Sequence, residues 1–136
     1  MAITNAFRIA ELIRHFQYDS TNDVVTTSKR MEDKNNKRDD TQRTATTVFS
    51  LDTFAHASFR AARYIVAMSK GTDYHSTEIM LVHDGTNVTL TQYGTLKNSS
   101  LATFDADISG SNVRLRCTPS SATATNIQFD RTVVDA

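Results

Sequence analysis

Two short apolar runs, Tyr64-Ile65-Val66-Ala67-Met68 and Ile79-Met80-Leu81-Val82, constrain this chain more than any other feature. Turn residues bound them: Lys70-Gly71-Thr72-Asp73 lies between the two, and His83-Asp84-Gly85-Thr86-Asn87 follows the second. Runs of this length between turn signals read as strands. A strand with one face in water alternates apolar and polar residues. These two do not alternate, so both faces are expected to be covered, either by a second sheet or by another protein chain.

The β pattern extends from Val48 to Val134. Val48 to Phe54 reads as a mixed edge strand, with Phe49 and Leu51 on one face and Asp52 and Phe54 on the other. The first central strand runs from Phe59 to Ser69 and the second from about Tyr74 to His83. Asp84-Gly85 marks a hairpin, because glycine takes a positive φ without steric cost. Asn87 to Tyr93 alternates, Gly94 to Ser100 reads as a longer connection, Leu101 to Ile108 resumes the pattern, and Ser109-Gly110-Ser111-Asn112 closes another hairpin. Val113, Leu115 and Cys117 then alternate with Arg114, Arg116 and Thr118, and Pro119 stops that strand. The last strand places Ile127, Phe129 and Val133 inward. About seven short strands at this spacing predict a mainly β chain folded as an antiparallel β-sandwich.

Ahead of the sandwich the character differs. Residues Thr4 to Phe16 carry Ala6, Ile9, Ala10, Ile13 and Phe16 at helical spacing, a short amphipathic helix whose apolar side must rest on the sandwich or between subunits. Gln17 to Thr47 is dense in polar and charged residues and reads as an extended, solvated arm, with one short strand at Val24 to Thr27. The expected division is therefore 1–47, a helix and arm for assembly or anchoring, and 48–136, the β-sandwich.

Lys and Arg number 15 against 15 Asp and Glu, so the chain lacks the broad positive field of non-specific nucleic-acid binding. Zero formal charge also gives little electrostatic barrier to association, which suits a subunit of an assembly. No apolar stretch is long enough to span a bilayer, and the N-terminus lacks a signal-peptide plan, so neither a nucleic acid nor a membrane is an expected partner. Cys117 is the only cysteine, which excludes an intrachain disulfide, and its parity with Val113 and Leu115 makes it a core residue.

The material for a chemical site is thin. His75 and His83 lie eight residues apart on one strand, roughly 26 Å when extended, too far to share a metal ion. His56, Glu78 and Asp84 supply no ligand spacing beside them. Asp105 and Asp107 could be a carboxylate pair but read as a solvated strand face. There is no nucleophile elbow and no phosphate-binding loop, with four glycines in the chain. No residue is assigned a catalytic, cofactor-binding or metal-binding role, and the chain is expected to be no enzyme and to need no cofactor. Tyr64, Tyr74 and Tyr93 are core or interface residues, or alternatively a sugar-binding face. Arg60 and Arg63 are candidates for interchain ion pairs.

One ordered series carries a resemblance: Ser50-Leu51-Asp52-Thr53-Phe54, Phe59 to Val66, Thr77 to Gly85, Tyr93-Gly94, Thr103 to Gly110, and Val113-Arg114-Leu115 leading to Pro119. Together these resemble a module common in virion structural proteins of tailed phages infecting marine cyanobacteria, over roughly residues 48 to 134. The resemblance implies a β-sandwich carried as an interaction domain and a non-enzymatic particle component, whether capsid decoration, collar or tail-associated. It implies localisation in the virion, contacts with other virion proteins through the N-terminal segment, and a homo-oligomer, with a trimer as one closed form. The alternative is a receptor- or glycan-binding module of a tail fibre.

Overall fold

The computed structural model describes residues 16–19, 24–27 and 35–136. The chain divides into two units, Met1–Asp33 and Lys34–Ala136. In the first, β1 (Phe16–Asp19) pairs antiparallel with β2 (Val24–Thr27), with Phe16 opposite Thr27. The short strand expected at Val24 to Thr27 is therefore present. The helix expected over 4–16 lies outside the described residues except for Phe16, which opens β1.

The second unit is built from eight strands, β3 (Asn36–Arg43), β4 (Phe49–Ala55), β5 (Phe59–Lys70), β6 (Asp73–His83), β7 (Val88–Lys97), β8 (Ala102–Ser109), β9 (Asn112–Pro119) and β10 (Thr125–Asp135). They form two antiparallel sheets, β3-β10-β5-β6-β7 and β4-β9-β8. The seven strands expected after Val48 are β4 to β10. The eighth, β3, is a correction: residues 36–43 were expected in the solvated arm and instead pair with β10 along eight positions, from Asn36 opposite Thr132 to Arg43 opposite Thr125. An edge strand has one partner and one solvated margin, so it tolerates a charged sequence that a central strand would not.

Turn chemistry closes the hairpins where expected. Gly71 (φ 58°) and Gly110 (φ 60°) occupy two-residue turns, between Lys70 paired with Asp73 and between Ser109 paired with Asn112. At Asp84 the carboxylate accepts the backbone N–H groups of Thr86 (2.8 Å) and Asn87 (2.6 Å), which holds its carboxyl down at about 2. A second correction concerns Gly94 to Lys97, expected as a connection. Strand β7 runs on through them, because the pairing slips at Thr77 and Gly94 (φ 60°) takes up the extra residue as a bulge. Thr77 fills the gap, donating its hydroxyl to the Tyr93 carbonyl at 3.3 Å and lying 2.8 Å from the Thr95 hydroxyl.

The core lies between the sheets. Tyr64, Val66, Met68, Ile79, Leu81, Ile127, Phe129 and Val133 enter from the five-stranded sheet; Leu51, Phe54, Ala102, Val113, Leu115 and Cys117 enter from the other. Cys117 is fully buried, and burial pushes its thiol up to about 12. In β4 the register shifts between Ser50 and Asp52, so Leu51 is a bulge residue and Leu51, Asp52 and Phe54 all turn inward.

Of the two covered faces expected for the apolar runs, the second sheet supplies one. Along β5 burial alternates, with Tyr64, Val66 and Met68 inside and Arg63, Ile65 and Ala67 outside. The three-stranded sheet covers one face of the apolar runs. The other face is open within this unit.

Candidate interaction surface

Two arrangements carry the structure's chemistry, one inside the sandwich and one outside. The inner one is a charge cluster. Asp52 on β4 is inaccessible to solvent and accepts three hydrogen bonds: Tyr64 Oη at 3.0 Å and Arg131 Nη1 at 2.8 Å on Oδ2, and Lys37 Nζ at 2.8 Å on Oδ1. These partners sit on β5, β10 and β3, so one carboxylate ties the small sheet to three strands of the large one. Burial, and then the Asp52 charge, push the Tyr64 hydroxyl above its ordinary range. At Lys37 burial pulls the amine down, but hydrogen bonding and attraction to Asp52 outweigh it and the net direction is upward. Arg131 Nε is buried without a hydrogen-bond partner.

The outer arrangement is the exposed face of the five-stranded sheet. Across β10, β5, β6 and β7 its rows read Val134-Ala61-Val82-Thr89, Thr132-Arg63-Met80-Thr91 and Asp130-Ile65-Glu78-Tyr93. Apart from Val48, every exposed large apolar side chain among the described residues lies on this face: Ile65, Tyr74, Met80, Val82, Tyr93, Leu96 and Val134, from 38% to 72% exposed. Ion pairs are set among them. Arg63 donates Nε and Nη2 to Glu78 at 3.0 and 2.6 Å, and Arg38 donates to Asp130 at 2.6 Å. Hydrogen bonds from Arg63 and then Tyr93 hold the Glu78 carboxyl below its usual range.

The exposed face of the three-stranded sheet is different in kind. Arg114 forks onto Asp107 and Arg116 onto Asp105, with Nε distances of 2.7 and 2.8 Å. Asp105 and Asp107 are thus taken up by guanidinium groups and not by each other, and the Arg114 hydrogen bond keeps Asp107 below its usual range.

The other residues singled out from sequence fall as follows. His83 is buried; Gly85 N–H donates to its Nδ1 (3.1 Å), so Nε2 carries the proton and donates to the Phe59 carbonyl at 2.7 Å. His56 meets the His83 ring edge-on at 6.1 Å. His75, at the far end of β6, accepts the Leu101 N–H on Nδ1 while its buried Nε2 has no hydrogen-bond partner, and burial lowers its basicity. Among the described residues no group of three His, Cys, Asp or Glu side chains converges as a metal ion would need. Tyr64 is core, whereas Tyr74 and Tyr93 are exposed. Arg60 donates to the His83 carbonyl at 3.2 Å, so both it and Arg63 have partners within the chain.

The Asp52 cluster escaped the sequence reading, although a signal existed. Arg131 shares the parity of Ile127, Phe129 and Val133, and Asp52 stands between Leu51 and Phe54. An ionic residue in an inward register needs a counter-ion from the facing sheet.

The fold defines an antiparallel β-sandwich with one apolar outer face. No protein-family model and no curated protein matches the chain. Among solved structures, the tailspike protein of Acinetobacter baumannii phage AM24 is similar at 10% identity over 74% of this chain and 26% of its own, with a TM-score of 0.44. The tailspike protein of a second Acinetobacter phage is 18% identical over 83% of this chain and 24% of its own, TM-score 0.43. A third, from Acinetobacter baumannii bacteriophage Fri1 and described as a capsular polysaccharide depolymerase, is 14% identical over 74% of this chain, TM-score 0.30. The chain spans about a quarter or less of the length of the tailspike chains it matches.

Proposed function

We propose that this chain is a non-enzymatic structural subunit of a tailed-phage virion, tail-associated, collar or capsid-bound, that works through contact with other polypeptide. The observation that carries the contact part is the segregation of exposed apolar side chains onto one sheet face, opposite a face laced with Arg-Asp forks. Exposed apolar side chains gathered on one face in this way mark an interaction site. The phage part rests on the ordered resemblance over residues 48 to 134, including its marine cyanobacterial setting. The occupant of the face is a second copy of the chain: Arg63 and Arg38 stand beside Glu78 and Asp130 on the same surface, so two copies related by a two-fold axis can oppose unlike charges around an apolar centre. The segment 1–47 is assigned to contacts with other virion proteins.

Light scattering on the full chain tests this. The wild type is expected above monomer mass, with Ile65→Lys combined with Met80→Lys lowering the mass while the circular dichroism spectrum is kept. A monomeric wild type, or a variant of unchanged mass, would overturn the reading.

A receptor- or glycan-binding module is the second reading. It is favoured by a shallow depression of about 390 Å³ bordered by Asp40, Gln42, Asn126, Gln128 and Ser69. Such planar polar groups suit sugar hydroxyls, and exposed Tyr74 lies directly across from Ser69. Oligosaccharide binding abolished by Asp40→Ala would favour it.

A further inference from the structure

We infer that the free margin of β7 is a second assembly surface, and that it pairs antiparallel with β7 of another copy, continuing the five-stranded sheet across a two-fold axis. This rests on the reading that the chain assembles with copies of itself, and it names a contact distinct from the outer face.

The four sheet edges are unequal. An exposed edge presents unpaired N–H and C=O groups, and proteins that remain monomeric blunt such edges with charge, bulges or short length. Strand β3 has Lys37, Arg38, Asp39, Asp40 and Arg43 among its eight residues. Strand β8 has Asp105 and Asp107, and β4 is only seven residues long with a bulge in its middle. Strand β7 has none of these defences over its first half. From Val88 to Leu96 it contains no charged residue, and Val88 to Tyr93 pairs with β6 in unbroken register, the slip at Thr77 coming only beyond Tyr93. Among the described residues, β6 is its only paired strand.

Side chains agree with the backbone. Val88 and Leu90 rest against the core yet stay partly exposed at the open side of the sandwich. A second β7 would bury what remains of them. On the other face Thr89, Thr91 and Tyr93 would meet their counterparts as uncharged β-branched and aromatic cross-strand pairs. No like charges would be opposed by self-pairing. The same operation would join the two outer faces side by side, so that Met80, Val82 and Tyr93 of each copy flank the axis.

The test is a scan of single cysteines in the full chain at Thr89, Leu90, Thr91 and Gln92, with Asp40→Cys on β3 as the control. Residues directly opposed at an antiparallel two-fold have Cα atoms about 4.5–5.5 Å apart, within the range a disulfide bridges. The buried Cys117 thiol does not compete. Mild oxidation is expected to give a covalent dimer at one of the β7 positions and none at position 40, including when Ile65→Lys and Met80→Lys are present to weaken the face contact. No dimer at any β7 position, or an equal yield at position 40, overturns the edge pairing. Because the face variants are read by mass and the edge by cross-linking, either contact can fail while the other stands.

Discussion

Replacing Asp52 by Asn is the most informative single change to this sandwich. The substitution keeps the volume and removes the charge to which Arg131 and Lys37 are drawn at 2.8 Å and to which Tyr64 donates at 3.0 Å. The Arg131 side chain is only 9% exposed, so it becomes a buried cation without a counter-ion, whereas Lys37, 39% exposed, can turn to water or to Asp39. Breaking a buried pair from one side costs about 3–5 kcal/mol. Losing the exposed Lys37 partner adds less than about 1 kcal/mol. For a domain of this size the total lowers the melting temperature by something on the order of 15–30 °C. Replacing both members, Asp52→Leu with Arg131→Met, removes the stranded charge and the unpartnered Nε together. The double variant is therefore expected to be more stable than either single replacement. Urea titrations followed by circular dichroism, at one fixed protein concentration because assembly shifts apparent stability, measure this as a change in midpoint at constant slope. An Asp52→Asn midpoint within about 1 kcal/mol of the wild type, or a double variant as unstable as the sum of the singles, would falsify the view that this cluster joins the two sheets.

Two further outcomes are expected. His75 has its basicity lowered by burial and by Lys97, so in acid the unfolded chain takes up a proton that the folded chain resists. Stability should fall as pH drops below about 6.5 and level off below the folded value, and His75→Leu should flatten that slope in midpoints measured from pH 7.5 to 4.5. The Cys117 thiol, buried and held up at about 12, should react with a thiol reagent only at the rate of unfolding, whereas Cys117→Ser buries an unmatched hydroxyl and should cost about 1–3 kcal/mol.

Much of the sandwich was legible because its signals are local. The Asp84-Gly85 turn, the Ser109 to Asn112 hairpin and the alternation of Val113, Leu115 and Cys117 depend on a few adjacent residues each, and the structure reproduces them. What escaped depends on partners remote in sequence. Residues 36–43 look like a solvated arm because their strand partner is β10, more than 80 positions away. The continuation of β7 past Gly94 turns on a register slip that only the pairing with β6 reveals. The bulge in β4 altered which side chains turn inward, so that Leu51 joined Asp52 and Phe54. The unbroken apolar runs were real, but their outward members Ile65, Met80 and Val82 signal an uncovered surface of the single chain. The Asp52 cluster was hidden because each member looks unremarkable until the two sheets are laid face to face.

The unequal treatment of the two margins of the large sheet has a consequence for growth. If copies join along β7, the resulting ribbon ends on both sides in β3, whose five ionic residues discourage any further strand from adding. Addition in that direction therefore halts after one event. A sequence that placed its bare margin on both sides would instead lengthen without limit, giving a fibre in place of a closed pair.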